Sequence, residues 1–152
     1  MRLTSDVKKY LDRSVLCWLA TISPDGSPNV SPKEIFVYDE DDRILIAQIA
    51  SPQTERNIRI NARVCLSFID ILVQKGFQVH GDATILDPDA PSYAARKKRL
   101  EQMTEGKFPF KTIIEIKVTR TKPIIAPRYL FFPGTTEEEQ MARARIQYGI
   151  SD

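Results

Sequence analysis

Histidine is nearly missing from this chain: His80 stands alone among 152 residues. Cysteine is scarce too, with Cys17 and Cys65 each set singly in an apolar run. No CxxC pair and no Cys/His spacing supplies a ligand set for a metal, so the expectation is no metal and two buried, reduced thiols, as in a cytoplasmic protein. No apolar run has the length needed to span a bilayer, and residues 1–6 lack the apolar core of a secretion signal. Net charge is only +2 with a pI near 8.5, too mild to argue for nucleic acid or a membrane surface. Internal repeats, low-complexity tracts and linkers are also absent.

What is present is one domain's worth of chain, 42% hydrophobic, and a chain of this size buries about two-thirds of its unfolded surface. The reading is a single domain over 1–152, with a core over 15–121 and a C-terminal helix over 135–148. Thr4 or Ser5 caps a first helix carrying Val7, Tyr10 and Leu11 at helical spacing. Residues 15–22 form a strand that is apolar on both faces and therefore central or covered, with Trp18 in the core. Ser23-Pro24-Asp25-Gly26-Ser27 is a hairpin signal. Strands follow over 28–38 and 43–50, joined by the solvated acidic turn Asp39-Glu40-Asp41-Asp42. Further strands occupy 64–69, 75–86 and 111–120. In the 75–86 strand, Gly81 marks a bulge or a close backbone approach. A helix opened by Asp89 and Pro91 turns Tyr93, Leu100 and Met103 inward. Thr136 and Glu139 make a capping box for the last helix, which Gly149 ends. Six antiparallel strands with short hairpins and peripheral helices predict a mainly β fold, a small barrel.

The stretch from 28 to 57 carries the chemistry. Its first strand bears hydroxyl, amide and ammonium groups where a structural strand would bear Val, Ile or Leu. Its second runs through Ala47-Gln48-Ile49-Ala50 to Ser51-Pro52, with Pro52 in the first turn of a helix that Ser51 caps. Such a helix start favours an anion, because its first amides lack partners within the helix. The stretch reads as a cradle for a phosphate-bearing cofactor.

The wording of these elements resembles the pyridoxamine 5'-phosphate oxidase-like, FMN-binding split-barrel family. The resemblance rests on Leu19-Ala20-Thr21-Ile22, Asp25-Gly26, Pro28-Asn29-Val30-Ser31-Pro32-Lys33, Ser51-Pro52-Gln53-Thr54 with Asn57, and Gly76-Phe77-Gln78-Val79-His80-Gly81-Asp82-Ala83. It covers about 15–86 and implies a six-stranded antiparallel split barrel, a homodimer, and two FMN sites at the subunit interface. Carried over by residue, it implies that Ser31, Pro32 and Lys33, with Asn29 before them, lie along the flavin and its ribityl phosphate. Ala47, Gln48 and Ile49 would meet the isoalloxazine edge, and Ser51, Thr54 and Asn57 would form the phosphate end. Phe77, with Tyr129 to Phe132, would supply the wall from the other chain.

Two departures narrow the function. Relatives place Arg or Lys where this chain has Gln53, so one phosphate contact is neutral, with Arg56 and Arg59 as candidates to replace it. No histidine follows His80, which argues against pyridoxamine phosphate as the substrate. The implied function is an FMN-dependent oxidoreductase acting on a small substrate that the sequence does not name. Alternatives are a flavin-binding or electron-carrier protein without its own substrate, and a deazaflavin-binding relative. No residue stands out as catalytic. His80, on the polar side of its strand, reads as solvated. Arg96-Lys97-Lys98-Arg99 reads as a solvated surface rather than a nucleic-acid patch. Phe131-Phe132 reads as an interface anchor.

Overall fold

Period-two alternation of apolar side chains gives seven strands in the computed structural model, which describes residues 1–151. In chain order they are β1 (Cys17–Ile22), β2 (Pro28–Lys33), β3 (Phe36–Asp39), β4 (Arg43–Gln48), β5 (Arg63–Asp70), β6 (Lys75–Leu86) and β7 (Thr112–Ile125). Helices α1 (Ser5–Arg13), α2 (Pro52–Ile60), α3 (Tyr93–Thr104), α4 (Pro127–Phe131) and α5 (Glu137–Tyr148) surround them. All pairings are antiparallel, in the order β2-β1-β5-β6-β7-β4-β3. The result is a curled half-barrel of the split-barrel type.

The seventh strand comes from a break inside the expected 28–38 strand. The chain leaves β2 at Lys33, passes Glu34 and Ile35, and re-enters the sheet as β3 at its opposite edge. Ile35 stays tied to the neighbouring rung, its carbonyl accepting from the Ala47 amide at 3.0 Å. Both halves are extended, so local propensity is the same for one strand or two; long-range pairing decides. β1 starts at Cys17 rather than Val15, β4 stops at Gln48, and β7 runs on to Ile125 because β6 is long enough to pair with it that far.

The inner face of the curl packs Leu19, Leu66, Phe68, Val79, Ile114 and Ile116 against Val7, Tyr10 and Leu11 of α1. Each such fully buried side chain contributes about 1.5–3 kcal/mol. Thr4 caps α1, accepting from the Val7 amide at 3.3 Å. A second apolar layer, Val37, Leu45, Ala47, Leu86 and Ile113, sits beneath Tyr93 and Leu100 of α3. β4 is therefore buried on both faces. At Gly81 the expected bulge and the expected close approach coincide. The register with β7 shifts between His80 and Gly81, and a Cβ there would sit 2.4 Å from the Lys117 carbonyl oxygen. The capping box of Thr136 and Glu139 opens α5, and Gly149 ends it in the left-handed region, with φ +67°.

Several further expectations are corrected. Trp18 is 48% exposed: β1 lies between β2 and β5, yet no helix among the described residues packs over its outer face, which Trp18 shares with Ile22 and neighbouring Val30. Met103 is exposed, because the buried stripe of α3 runs through Tyr93, Leu100 and Thr104. Cys65 is half-buried, 3.8 Å from His80 Nε2, so that imidazole is also half-covered. The basic tetrad and the acidic turn are not simply solvated; they meet. Arg96 pairs with Asp39, Glu40 and Glu115, and Arg99 donates to the Tyr38 carbonyl. Asp41 takes Arg2 and Lys8. Lys97 remains outside, with an exposed partner in Glu101.

Candidate functional site

Inward-facing polar groups recur along β2 at every second residue, and each meets a different partner. Asn29 Nδ2 donates to Thr21 Oγ1 on β1 at 3.4 Å. Ser31 Oγ is 2.9 Å from Thr54 Oγ1 of α2. Lys33 Nζ donates to Gln48 Oε1 at the end of β4, 3.2 Å away. Strand pleat produces this ladder, because Val30 and Pro32 point the other way.

Around Ser31 and Lys33 opens a cavity of about 510 Å³, lined also by Pro32, Ala47, Ile49, Ser51 and Phe108. Lys33 is its buried cation, 6% exposed. Among the described residues no carboxylate pairs with it; its hydrogen-bond acceptor is the neutral amide of Gln48. Burial pushes the ammonium's pKa below the ordinary lysine value, opposed by the nearby Cys17. Burial pushes the Cys17 thiol far up, opposed by Lys33. A buried ammonium without an anion is costly. An anion entering this cavity would relieve that cost.

The start of α2 supplies the complementary donors. Ser51 makes no side-chain cap, and Pro52 has no N–H, so the helix opens on uncapped amides. Gln48 Nε2 holds the Ser51 carbonyl, fixing the helix start against β4. Thr54 and Asn57 are completely buried. Asn57 Nδ2 donates to Thr21 Oγ1 at 3.0 Å, and its Oδ1 accepts from Gln53 Nε2 at 2.8 Å. Both ends of that amide are committed, so Asn57 is a strut beneath the helix start. Thr21 was missed in the sequence reading. The signal was available: a hydroxyl on the inward face of Cys17-Leu19-Thr21, where every other inward residue of β1 is apolar.

The structure thus gathers Asn29, Ser31, Pro32, Lys33, Ala47, Gln48, Ile49, Ser51, Thr54 and Asn57 along β2, the β4 end and the opening of α2. Phe77 lies apart. Its ring packs within its own chain against Tyr10 (centroids 6.2 Å apart) and Phe68 (6.4 Å). Tyr129 is also engaged at home: its hydroxyl donates to the Val73 carbonyl at 2.8 Å, and Lys75 sits over its ring. Leu130, Phe131 and Phe132, in contrast, are exposed. Among the described residues no cluster of His, Cys, Asp or Glu suits a metal, and no helix is long and apolar enough to cross a membrane.

The family model described as pyridoxamine 5'-phosphate oxidase matches residues 3–124. Among solved structures, HupZ of Group A Streptococcus superposes with a TM-score of 0.68 at 25% identity, over 78% of this chain and 91% of that one. An FMN-binding protein from Syntrophomonas wolfei gives 0.62 at 17% identity, over 79% and 84%. An F420 reductase gives 0.60 at 24% identity, over 79% and 98%. No curated protein matches the sequence.

Proposed function

The chain belongs to the pyridoxamine 5'-phosphate oxidase family, and from that premise we propose that it binds FMN between β2 and the start of α2 and works as a flavin-dependent oxidoreductase. The observation that carries this reading is Lys33: a buried ammonium facing a cavity, with a neutral amide in place of a counter-ion. A flavin phosphate brings close to two negative charges and needs a cation plus several donors. Lys33, Ser31, Ser51 and the first amides of α2 are such a set.

The residues present fit the group. A cavity of about 510 Å³ is within the range of ligand sites, about 300–1,000 Å³. Pro32, Ala47, Ile49 and Phe108 give the flat ring apolar contact, and the end of β4 offers backbone groups to its pyrimidine edge. Bound FMN supplies electron transfer; the chain binds it, orients it and excludes water from one ring face. Thr54 and Asn57 act from beneath, holding α2 to β2 and β1.

A second chain completes the site in this proposal. The uncovered apolar side chains Trp18, Val30, Leu130, Phe131 and Phe132 support a homodimer that closes the flavin's open side. Free Cys17 and Cys65 accord with a reducing, cytoplasmic setting. Pyridoxamine phosphate is not proposed as the substrate, since no histidine follows His80.

Purified protein mixed with FMN is expected to quench flavin fluorescence to saturation and to shift the flavin absorption bands. Absence of any saturable change would remove the proposal. A carrier role without a substrate is the second reading, favoured by a cavity whose titratable lining residues are Lys33 and Glu34. Under that reading the flavin binds but NADH and NADPH give no turnover with any acceptor. The fold likeness to an F420 reductase motivates a parallel titration with the deazaflavin.

A further inference from the structure

A doubly charged phosphate at the opening of α2 needs more positive charge than Lys33 alone, and Gln53 is neutral. Two arginines follow on the same helix, and the structure distinguishes them. Arg59 is consumed. Its guanidinium donates to Glu55 at 2.9 Å and to Asp87 at 2.8 Å, two carboxylates that cancel its charge. It also borders a second cavity, which shares Ile49, Ala50 and Ser51 with the one around Lys33, together with those two acids and Phe110.

Arg56 is different. Its described hydrogen bond runs to Gln53 Oε1 at 2.8 Å, and among the described residues no carboxylate pairs with it. Helix geometry accounts for the direction. Side chains tilt toward the helix N-terminus, and residues three apart share a face. The guanidinium is therefore drawn back along the helix to Gln53, a residue of the first turn of α2, which opens without a side-chain cap. Gln53 holds it there from a fixed base: Gln53 Nε2 donates to Asn57 Oδ1, and Asn57 Nδ2 to Thr21 Oγ1. A relay of neutral groups thus runs from the core of β1 to an exposed cation. Guanidinium has five N–H donors in a fork that suits phosphate oxygens, and a neutral amide partner leaves its charge unspent.

We infer that Arg56, positioned by Gln53, is the second cation of the phosphate subsite, and that this pair selects a flavin ending in a phosphate over one without it. The inference rests on the FMN reading above. It assigns to Gln53 a positioning role: the amide does not replace a missing cation but steers one from the next turn.

The test compares FMN with riboflavin, which shares the ring and lacks the phosphate. Dissociation constants are measured by fluorescence quenching for the wild type and for Arg56→Ala, Gln53→Ala and Arg59→Ala. Arg56→Ala is expected to weaken FMN by about tenfold, the scale of one hydrogen bond to a charged group, and to leave riboflavin unchanged. Gln53→Ala should give a smaller loss in the same direction, and Arg59→Ala none. The wild-type preference for FMN should also fall with added salt more steeply than that of Arg56→Ala, because an exposed cation is screened. An unchanged FMN-to-riboflavin ratio in Arg56→Ala, beside a clear preference in the wild type, overturns the inference alone. A wild type that binds both flavins equally overturns the phosphate reading with it.

Discussion

Lys33 Nζ lies 3.2 Å from Gln48 Oε1, an ammonium held inside the protein by an uncharged amide. Gln48 in turn holds the Ser51 carbonyl, so one side chain links the buried charge to the helix start. Replacing Lys33 with Ala should weaken FMN binding by about 1.5–3 kcal/mol, measured by equilibrium titration. The same residue sets a pH dependence. Burial holds its folded pKa below the ordinary 10.5. Between the folded value and 10.5 the unfolded chain binds more protons, so the ligand-free protein gains stability as pH rises through that window and loses it as pH falls. Thermal melts should therefore show the difference in Tm between wild type and Lys33→Met growing in the wild type's favour as pH approaches 10.5. FMN affinity runs the opposite way, falling as Lys33 loses its proton.

Thr21 accepts from two amides, Asn29 and Asn57, that arrive from different elements. Thr21→Val keeps the shape and removes the acceptor, leaving the buried Asn57 Nδ2 without its hydrogen-bond partner while Oδ1 keeps Gln53. The expected cost is about 1–3 kcal/mol in urea unfolding, with a looser α2 and weaker FMN binding. Unchanged stability would show that the hydroxyl is dispensable.

Arg96 ties α3 to the β3–β4 turn through Asp39 and Glu40, and to β7 through Glu115. Arg96, Asp39 and Glu115 are mostly covered; Glu40 and Glu115 also pair with Arg43, so removing Arg96 strands chiefly the covered carboxylate of Asp39. Arg96→Ala should cost about 2–3 kcal/mol, measured by denaturant unfolding. Lys97→Ala, whose pair with Glu101 is exposed, should change stability by less than about 0.5 kcal/mol.

Phe131 is 78% exposed, between two further exposed apolar residues, Leu130 and Phe132. In the proposed homodimer it is an anchor, and truncating an aromatic anchor costs about 2 kcal/mol or more. Phe131→Asp should shift sedimentation from dimer toward monomer and weaken FMN binding together with it. A wild type that sediments as a monomer would remove the shared-site model.

Much of this was legible in the sequence, and the misses have physical causes. Element types followed from local signals: the Thr4 and Thr136 caps, the Gly26 turn, the period-two run of β6 and the bulge at Gly81. The polar ladder Asn29, Ser31, Lys33 was visible as hydrophilic groups where a structural strand would be apolar, and the fold turns them inward. Hidden were the decisions made by distant partners. Glu34 and Ile35 interrupt no propensity, yet the barrel's closure moves the chain from one sheet edge to the other there. Trp18 and Met103 have core chemistry but face out, because burial depends on what packs opposite. Arg96 and the acidic turn each read as solvated when taken alone; only the fold brings them together. Arg56 and Arg59 are alike in sequence, and their acidic neighbours in space separate them.

The most direct test of the central claim is titration of the wild-type protein with FMN, followed by flavin fluorescence and absorption at constant pH and salt. The account predicts saturable quenching at one FMN per chain, with tighter binding than riboflavin. Fluorescence that stays unquenched across the titration would contradict it.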